Sequence, residues 1–134
     1  MKTTNRRKFL LSTILLGAGL AATAYPLNKL KKNQLAHHVF FRLKNPESKA
    51  DIDQLIVGIR TLKKIGAVNR LHVGVLASTE KRDVVDTNWQ VSELLFFDDA
   101  DAQKIYQSHP IHLAFIKNYS HLWAGVIVYD VQEM

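Results

Sequence analysis

There is no cysteine among the 134 residues. That excludes a disulfide framework, a thiolate metal site, a cysteine nucleophile and a lipobox cysteine. Internal repeats and low-complexity tracts are also lacking, and a chain of this length reads as one small domain. A basic stripe is missing too, although the formal net charge is +6. Lys2, Arg6, Arg7 and Lys8 all fall within residues 1–24, which hold no acid; the remainder carries 14 basic and 12 acidic side chains. So neutral a body excludes nucleic acid as a partner.

Long apolar runs are scarce as well. The stretch from Phe9 to Ala24 covers about 16 residues and is diluted by Ser12, Gly17 and Gly19, short of the ~20 needed to cross a bilayer. It follows paired arginines, Arg6 and Arg7, and ends in Ala22-Thr23-Ala24, the small-x-small pattern of a cleavage site. "NRRKFL" resembles the twin-arginine type of export signal. Residues 1–24 are therefore expected to be a signal peptide engaging the twin-arginine machinery, 25–35 a basic polar spacer, and 36–134 the folded domain. The product would be periplasmic or secreted. The alternative is an uncleaved signal anchoring the domain in the inner membrane, facing outward.

What the body does contain is regular patterning. "HHVFFRLK" (37–44), "LHVGVLA" (71–77), "WQVSELLFF" (89–97) and "GVIVYDV" (125–131) read as strands. Ser48 is an expected N-cap with Asp51 as its capping-box partner. Ile52, Leu55, Ile56, Ile59 and Leu62 follow at helical spacing and end near Gly66. "DDADAQKIYQ" starts a second helix capped by Asp98 or Asp99. Pro110 cannot donate to the carbonyl of Tyr106, so that helix should stop near Ser108 and a shorter one begin with Pro110 in its first turn.

The order β-α-β-β-α-β is that of the α+β, ferredoxin-like arrangement: a four-stranded antiparallel sheet with helices on one face. The strands alternate poorly. Val39, Phe41 and Leu43 oppose His38, Phe40 and Arg42; Val91, Leu95 and Phe97 oppose Leu94 and Phe96; Val126 and Val128 oppose Ile127 and Tyr129. Two helices cover one apolar face. The other would leave several hundred Å² exposed, at or above what monomers tolerate. A second copy laid sheet to sheet would bury it at ~25 cal/mol per Å². A homodimeric α/β barrel is expected.

"HHVFFRLKN", "LHVGV", "SELLFFDD" and "IYQSHPIHLAFI…YDV" together resemble the stress-responsive α/β-barrel (Dabb) family. The most specific piece is Tyr-x-x-His-Pro-x-His, residues 106–112, supported by His37. The resemblance implies ferredoxin-like protomers pairing into a dimeric barrel. Some plant members are polyketide cyclases, in which a tyrosine and a histidine of this segment move protons. Tyr106, His112 and His37 match that pattern. Gly58 and Val91 stand where the cyclases have a tyrosine and a histidine, which argues against the same substrate.

Tyr106 and His112 are the candidate catalytic pair. In the first turn of a helix the dipole favours a neutral His112 imidazole, able to accept a proton, with Tyr106 holding its other nitrogen. The alternative is structural: His109 and His112 stabilise the helix break while the Tyr106 hydroxyl caps a freed carbonyl. His37, His109, Val91 and Trp89 are the candidate ligand-binding residues. His109, His112 and His37 could be assembled as a three-histidine metal set, but Pro110 disrupts the helix and no acidic ligand is placed nearby, so no metal is expected. Haem, suggested by other dimeric barrels, has no support beyond the fold, and no cofactor is expected. Asp130 is placed with Arg42 or at an edge. Three readings stay open: a protein binding a small apolar or aromatic ligand in the barrel, a cofactor-independent cyclase- or lyase-like enzyme using His112 as base, and a structural stress protein with a filled barrel.

Overall fold

The computed structural model describes residues 34–134; the expected leader and most of the spacer lie outside them. Four strands are present: β1 (Leu35–Leu43), β2 (Arg70–Val75), β3 (Val91–Phe97) and β4 (Trp123–Gln132). Three helices join them: α1 (Lys49–Thr61), extended by a 3-10 turn, α2 (Ala100–Gln107) and α3 (Pro110–Tyr119). The sheet order is β2-β3-β1-β4 and every pairing is antiparallel. This is the expected four-stranded, ferredoxin-like sheet with its helices on one face.

The helix starts follow their capping residues. Ser48 Oγ accepts from the amide of Asp51 at 3.2 Å. The expected return bond of a capping box is replaced, because the Asp51 carboxylate accepts from Asn45 Nδ2. Of the two candidate caps for α2 it is Asp99 that serves, accepting from the amide of Ala102 at 2.9 Å. Pro110 splits the second helical region where its missing N–H requires. His109 leaves helical geometry, with ψ near 138°, and its Nδ1 accepts from the amide of Ile111 at 3.1 Å. The capping role weighed for His109 is therefore met.

The core lies between the helices and one sheet face. Leu55 and Ile59 of α1, with Val91, Leu95 and Phe97 of β3, are fully buried. The helix layer stops short of β4. Val126 and Val128, on the helix side of that strand, remain 42% and 44% exposed. The helix layer thus covers less of this face than the sequence pattern implies, and the shortfall leaves a groove between α3 and β4.

The opposite face is apolar and open. Phe40 meets Trp89 at 4.9 Å and Tyr129 at 6.1 Å between ring centroids. Ile127, Tyr129 and Val131 are exposed on the same side. Segment 76–90, without regular structure, borders it.

Candidate functional site

The groove beside α3 has a volume of about 480 Å³. Its rim is apolar and exposed, with Leu113 and Ile116 of α3 facing Val126 and Val128 of β4. Four polar residues form its floor: His37, Glu93, Tyr106 and His112, each less than one-tenth exposed. They come from β1, β3, α2 and α3. The alternation of the sheet puts His37 and Glu93 on the helix side, and the break at Pro110 lets Tyr106 and His112 approach each other from separate helices.

The orientation of His112 is set by the end of α2. Its Nδ1 lies 3.0 Å from the carbonyl oxygen of Gln107. A carbonyl only accepts, so Nδ1 carries the proton and donates it, and Nε2 of the neutral ring keeps its lone pair. Burial lowers the pKa of His112; the bond to Gln107 works against that, and the nearby His37 adds to it. Near neutral pH this is an unprotonated imidazole with one fixed tautomer, the state required of a general base.

Tyr106 does not hold the second nitrogen of His112, contrary to expectation. The two rings pack with centroids 4.5 Å apart. Nor does the phenol cap a freed carbonyl. Its hydroxyl oxygen lies instead 3.3 Å from Oε1 of Glu93, within hydrogen-bonding reach. Burial first, and then the Glu93 carboxyl, push the Tyr106 pKa upward, so the group remains a phenol throughout the working pH range. Glu93 is itself displaced. Burial pushes its carboxyl up to about 8, only partly opposed by the Tyr106 bond, and its Oε2 has no hydrogen-bond partner.

His37 is oriented from the neighbouring strand. It faces Asp130 directly across the β1–β4 pairing, and Nδ1 lies 2.6 Å from Asp130 Oδ1. Asp130 is therefore placed with His37, not with Arg42, whose guanidinium lies over Gly125. The His37 ring meets Tyr106 edge-on, 5.8 Å between centroids. The floor thus combines one free imidazole nitrogen, a phenol, a buried acid and a carboxylate-oriented histidine.

The structure brings His37, Tyr106 and His112 together, and leaves the remaining candidates elsewhere. His109 caps α3. Val91 is fully buried in the core and is not part of the groove wall. Trp89 lies on the far side of the sheet, its Nε1 donating to the carbonyl of Asp86 at 3.0 Å. A larger hollow of about 660 Å³ lies there, beside His38, His72 and Trp89. Its charged lining, Glu80 to Asp83, is all exposed loop, so it offers less chemistry than the smaller groove. Contrary to expectation, two acids do stand near the histidines, Glu93 and Asp130. Even so, no group of three or more potential metal-ligating side chains is assembled among the described residues.

Sequence reasoning passed over Glu93. The available signal was its parity: in "VSELLFF" it shares the side of Val91, Leu95 and Phe97, so an acid interrupts the face turned to the core. The pairing of His37 with Asp130 needs the strand register, which the sequence alone does not provide.

A search of curated proteins finds no match. Solved structures with the same fold exist. A hydroxynitrile lyase from Passiflora edulis superposes with a TM-score of 0.64 at 19% identity, covering 78% of this chain and 95% of that one. A dimeric ferredoxin-like protein from Thermobifida fusca gives 0.62 at 18% identity, with 75% and 92% covered. A Dabb protein from Mesorhizobium loti gives 0.60 at 20% identity, with 75% and 96% covered. At such identities the likeness is one of fold. The family itself rests on a sequence model that matches residues 35–133, nearly all of the described chain, and by that match this protein belongs to the stress-responsive A/B barrel domain family, Dabb.

Proposed function

We propose that the protein is exported, pairs with a second copy of itself, and binds a small, largely apolar molecule in the groove between α3 and β4. One observation carries the binding reading. An apolar trench of about 480 Å³ is floored by four convergent polar groups, which is the usual make-up of a small-molecule site. The trench, not the space between two paired sheets, is the place for the ligand.

Pairing is supported by the open apolar face of Phe40, Ile127 and Tyr129, and by the dimeric state of the Thermobifida fusca relative. Export is supported by the arginine pair and the Ala-Thr-Ala ending of residues 1–24. Periplasmic or secreted residence follows from it, with outward-facing inner-membrane anchorage as the alternative.

A second reading is favoured by the fixed tautomer of His112. An imidazole with its Nε2 lone pair free and a phenol packed against it could transfer a proton to and from a bound molecule, as a cofactor-independent lyase or cyclase would require. That one protein of this fold is a hydroxynitrile lyase agrees with such chemistry.

A screen of small aromatic and aliphatic carbonyl compounds by calorimetry, repeated on His112→Ala, tests both readings. Binding that His112→Ala weakens supports the groove. Turnover in the wild type that His112→Ala abolishes makes the protein an enzyme; binding without turnover in either removes that reading. Binding mapped to the opposite sheet face would refute the choice of groove.

A further inference from the structure

Glu93 lies in the middle of the sheet, opposite Val39 of β1 and Val73 of β2. It is 2% exposed. Its Oε1 stands 3.3 Å from the Tyr106 hydroxyl, and its Oε2 has no hydrogen-bond partner. No ion pair among the described residues includes it. His37, Tyr106 and His112 share the floor with it, Lys117 stands on the groove wall, and Asp130 reaches the cluster through His37. β2 contributes Val73, its Arg70 and His72 being on the other face; α1 contributes Leu55 and Ile59, its Asp53 and Arg60 being exposed.

A carboxylate in this position would have one phenol as its sole donor and no cation, a costly arrangement in a dry interior. At 3.3 Å the contact with Tyr106 is a loose one, longer than the usual O–H···O bond, so it compensates a buried charge poorly. Two neutral O–H groups can share one contact in either sense. If Tyr106 donates, the proton of Glu93 on Oε2 has no acceptor. If Glu93 donates through Oε1 to the phenol oxygen, the phenolic proton is free to turn elsewhere. An ionised Glu93 permits the first sense only.

We propose that Glu93 is a positioning residue of the groove: as a neutral acid it donates to the Tyr106 oxygen and so turns the phenolic proton toward an acceptor atom of a bound molecule. This rests on the reading that the groove holds a small molecule, and it adds that the molecule presents a hydrogen-bond acceptor to Tyr106. Ionising Glu93 draws the phenolic proton back to the carboxylate and removes the donor from the groove without disturbing the apolar walls.

Isotope-labelled acetophenone, an apolar ring with one carbonyl, is the probe, and infrared difference spectroscopy on the purified full chain reads its carbonyl stretch. At neutral pH the bound carbonyl should absorb at lower frequency in the wild type than in Tyr106→Phe. That shift should vanish as pH rises through about 8. In Glu93→Gln, which can donate at every pH, it should persist. A wild-type shift retained above about pH 9, or one lost in Glu93→Gln in step with the wild type, overturns the proposal. Should acetophenone fail to bind, the groove reading fails for this probe, and Glu93 is judged separately by carboxyl NMR of the free protein. A Glu93 carboxyl neutral at pH 7, whose titration moves in Tyr106→Phe, supports the coupling; one already ionised at pH 7 overturns it.

Discussion

The ring of Tyr119 lies directly against the backbone of Gly58, so that a β-carbon at residue 58 would stand 2.7 Å from the ring's Cδ2. The contact joins α1 to α3. Tyr119 in turn stacks on Phe115, whose ring lies 6.5 Å from that of His112. The absence of a side chain at residue 58 therefore sets how closely the helix carrying His112 packs.

Gly58→Ala should destabilise the fold by up to about 2 kcal/mol. Overpacking costs roughly 1–3 kcal/mol, of which the better helix propensity of alanine returns at most about 1. Urea denaturation measures it. In a Tyr119→Ala background the same substitution should become neutral or stabilising. An equal penalty in both backgrounds would mean the ring is not the cause.

The open face of the sheet makes a separate prediction. Tyr129 is 57% exposed and lies beside Phe40. If a second copy covers this face, Tyr129→Lys places a charge in a desolvated interface and should turn a dimer into a monomer at micromolar concentration. The substitution touches no core residue, so the isolated subunit should change by no more than about 0.5 kcal/mol. Analytical ultracentrifugation decides; a wild type that sediments as a monomer removes the pairing.

Glu93 should leave a signature in stability against pH. Its folded pKa of about 8 lies above the ordinary value of 4.5. Below 4.5 both states hold the proton and the native state incurs no penalty. As pH rises from there, the unfolded chain ionises while the native one does not, and stability is lost until pH passes about 8. His112 runs the other way: its lowered pKa gives stability that is present above 6.5 and lost as pH falls. A comparison at pH 7 and about pH 8.5 avoids the histidine. Over that interval the wild type should lose about 1 kcal/mol relative to Glu93→Gln. Parallel unfolding curves for the two proteins would show that Glu93 is not neutral in the native state.

Much of the scaffold could be read from residue order. β-branched and aromatic runs located all four strands, and Ser48, the Asp98-Asp99 pair and Pro110 marked helix starts because capping and missing N–H groups act locally. Tyr106 and His112 were found as candidates in the Tyr-x-x-His-Pro-x-His segment, and His37 through the family resemblance. The rest depends on relations that sequence order does not carry. The groove exists because the helix layer falls short of β4, a matter of packing. Asp130 meets His37 only through strand register. Glu93 was hidden by apolar neighbours in a strand that reads as core throughout.

The interruption at Pro110 has a geometric consequence. Residues 106 and 112 on one unbroken helix would project about 120° apart around its axis, at 3.6 residues per turn, and only one of them could look toward the sheet. By ending one helix and starting another at a new angle, the chain lets a phenol and an imidazole lie together over the same few ångströms. A proline that would spoil an ordinary helix is here what brings two polar aromatic rings onto a single floor.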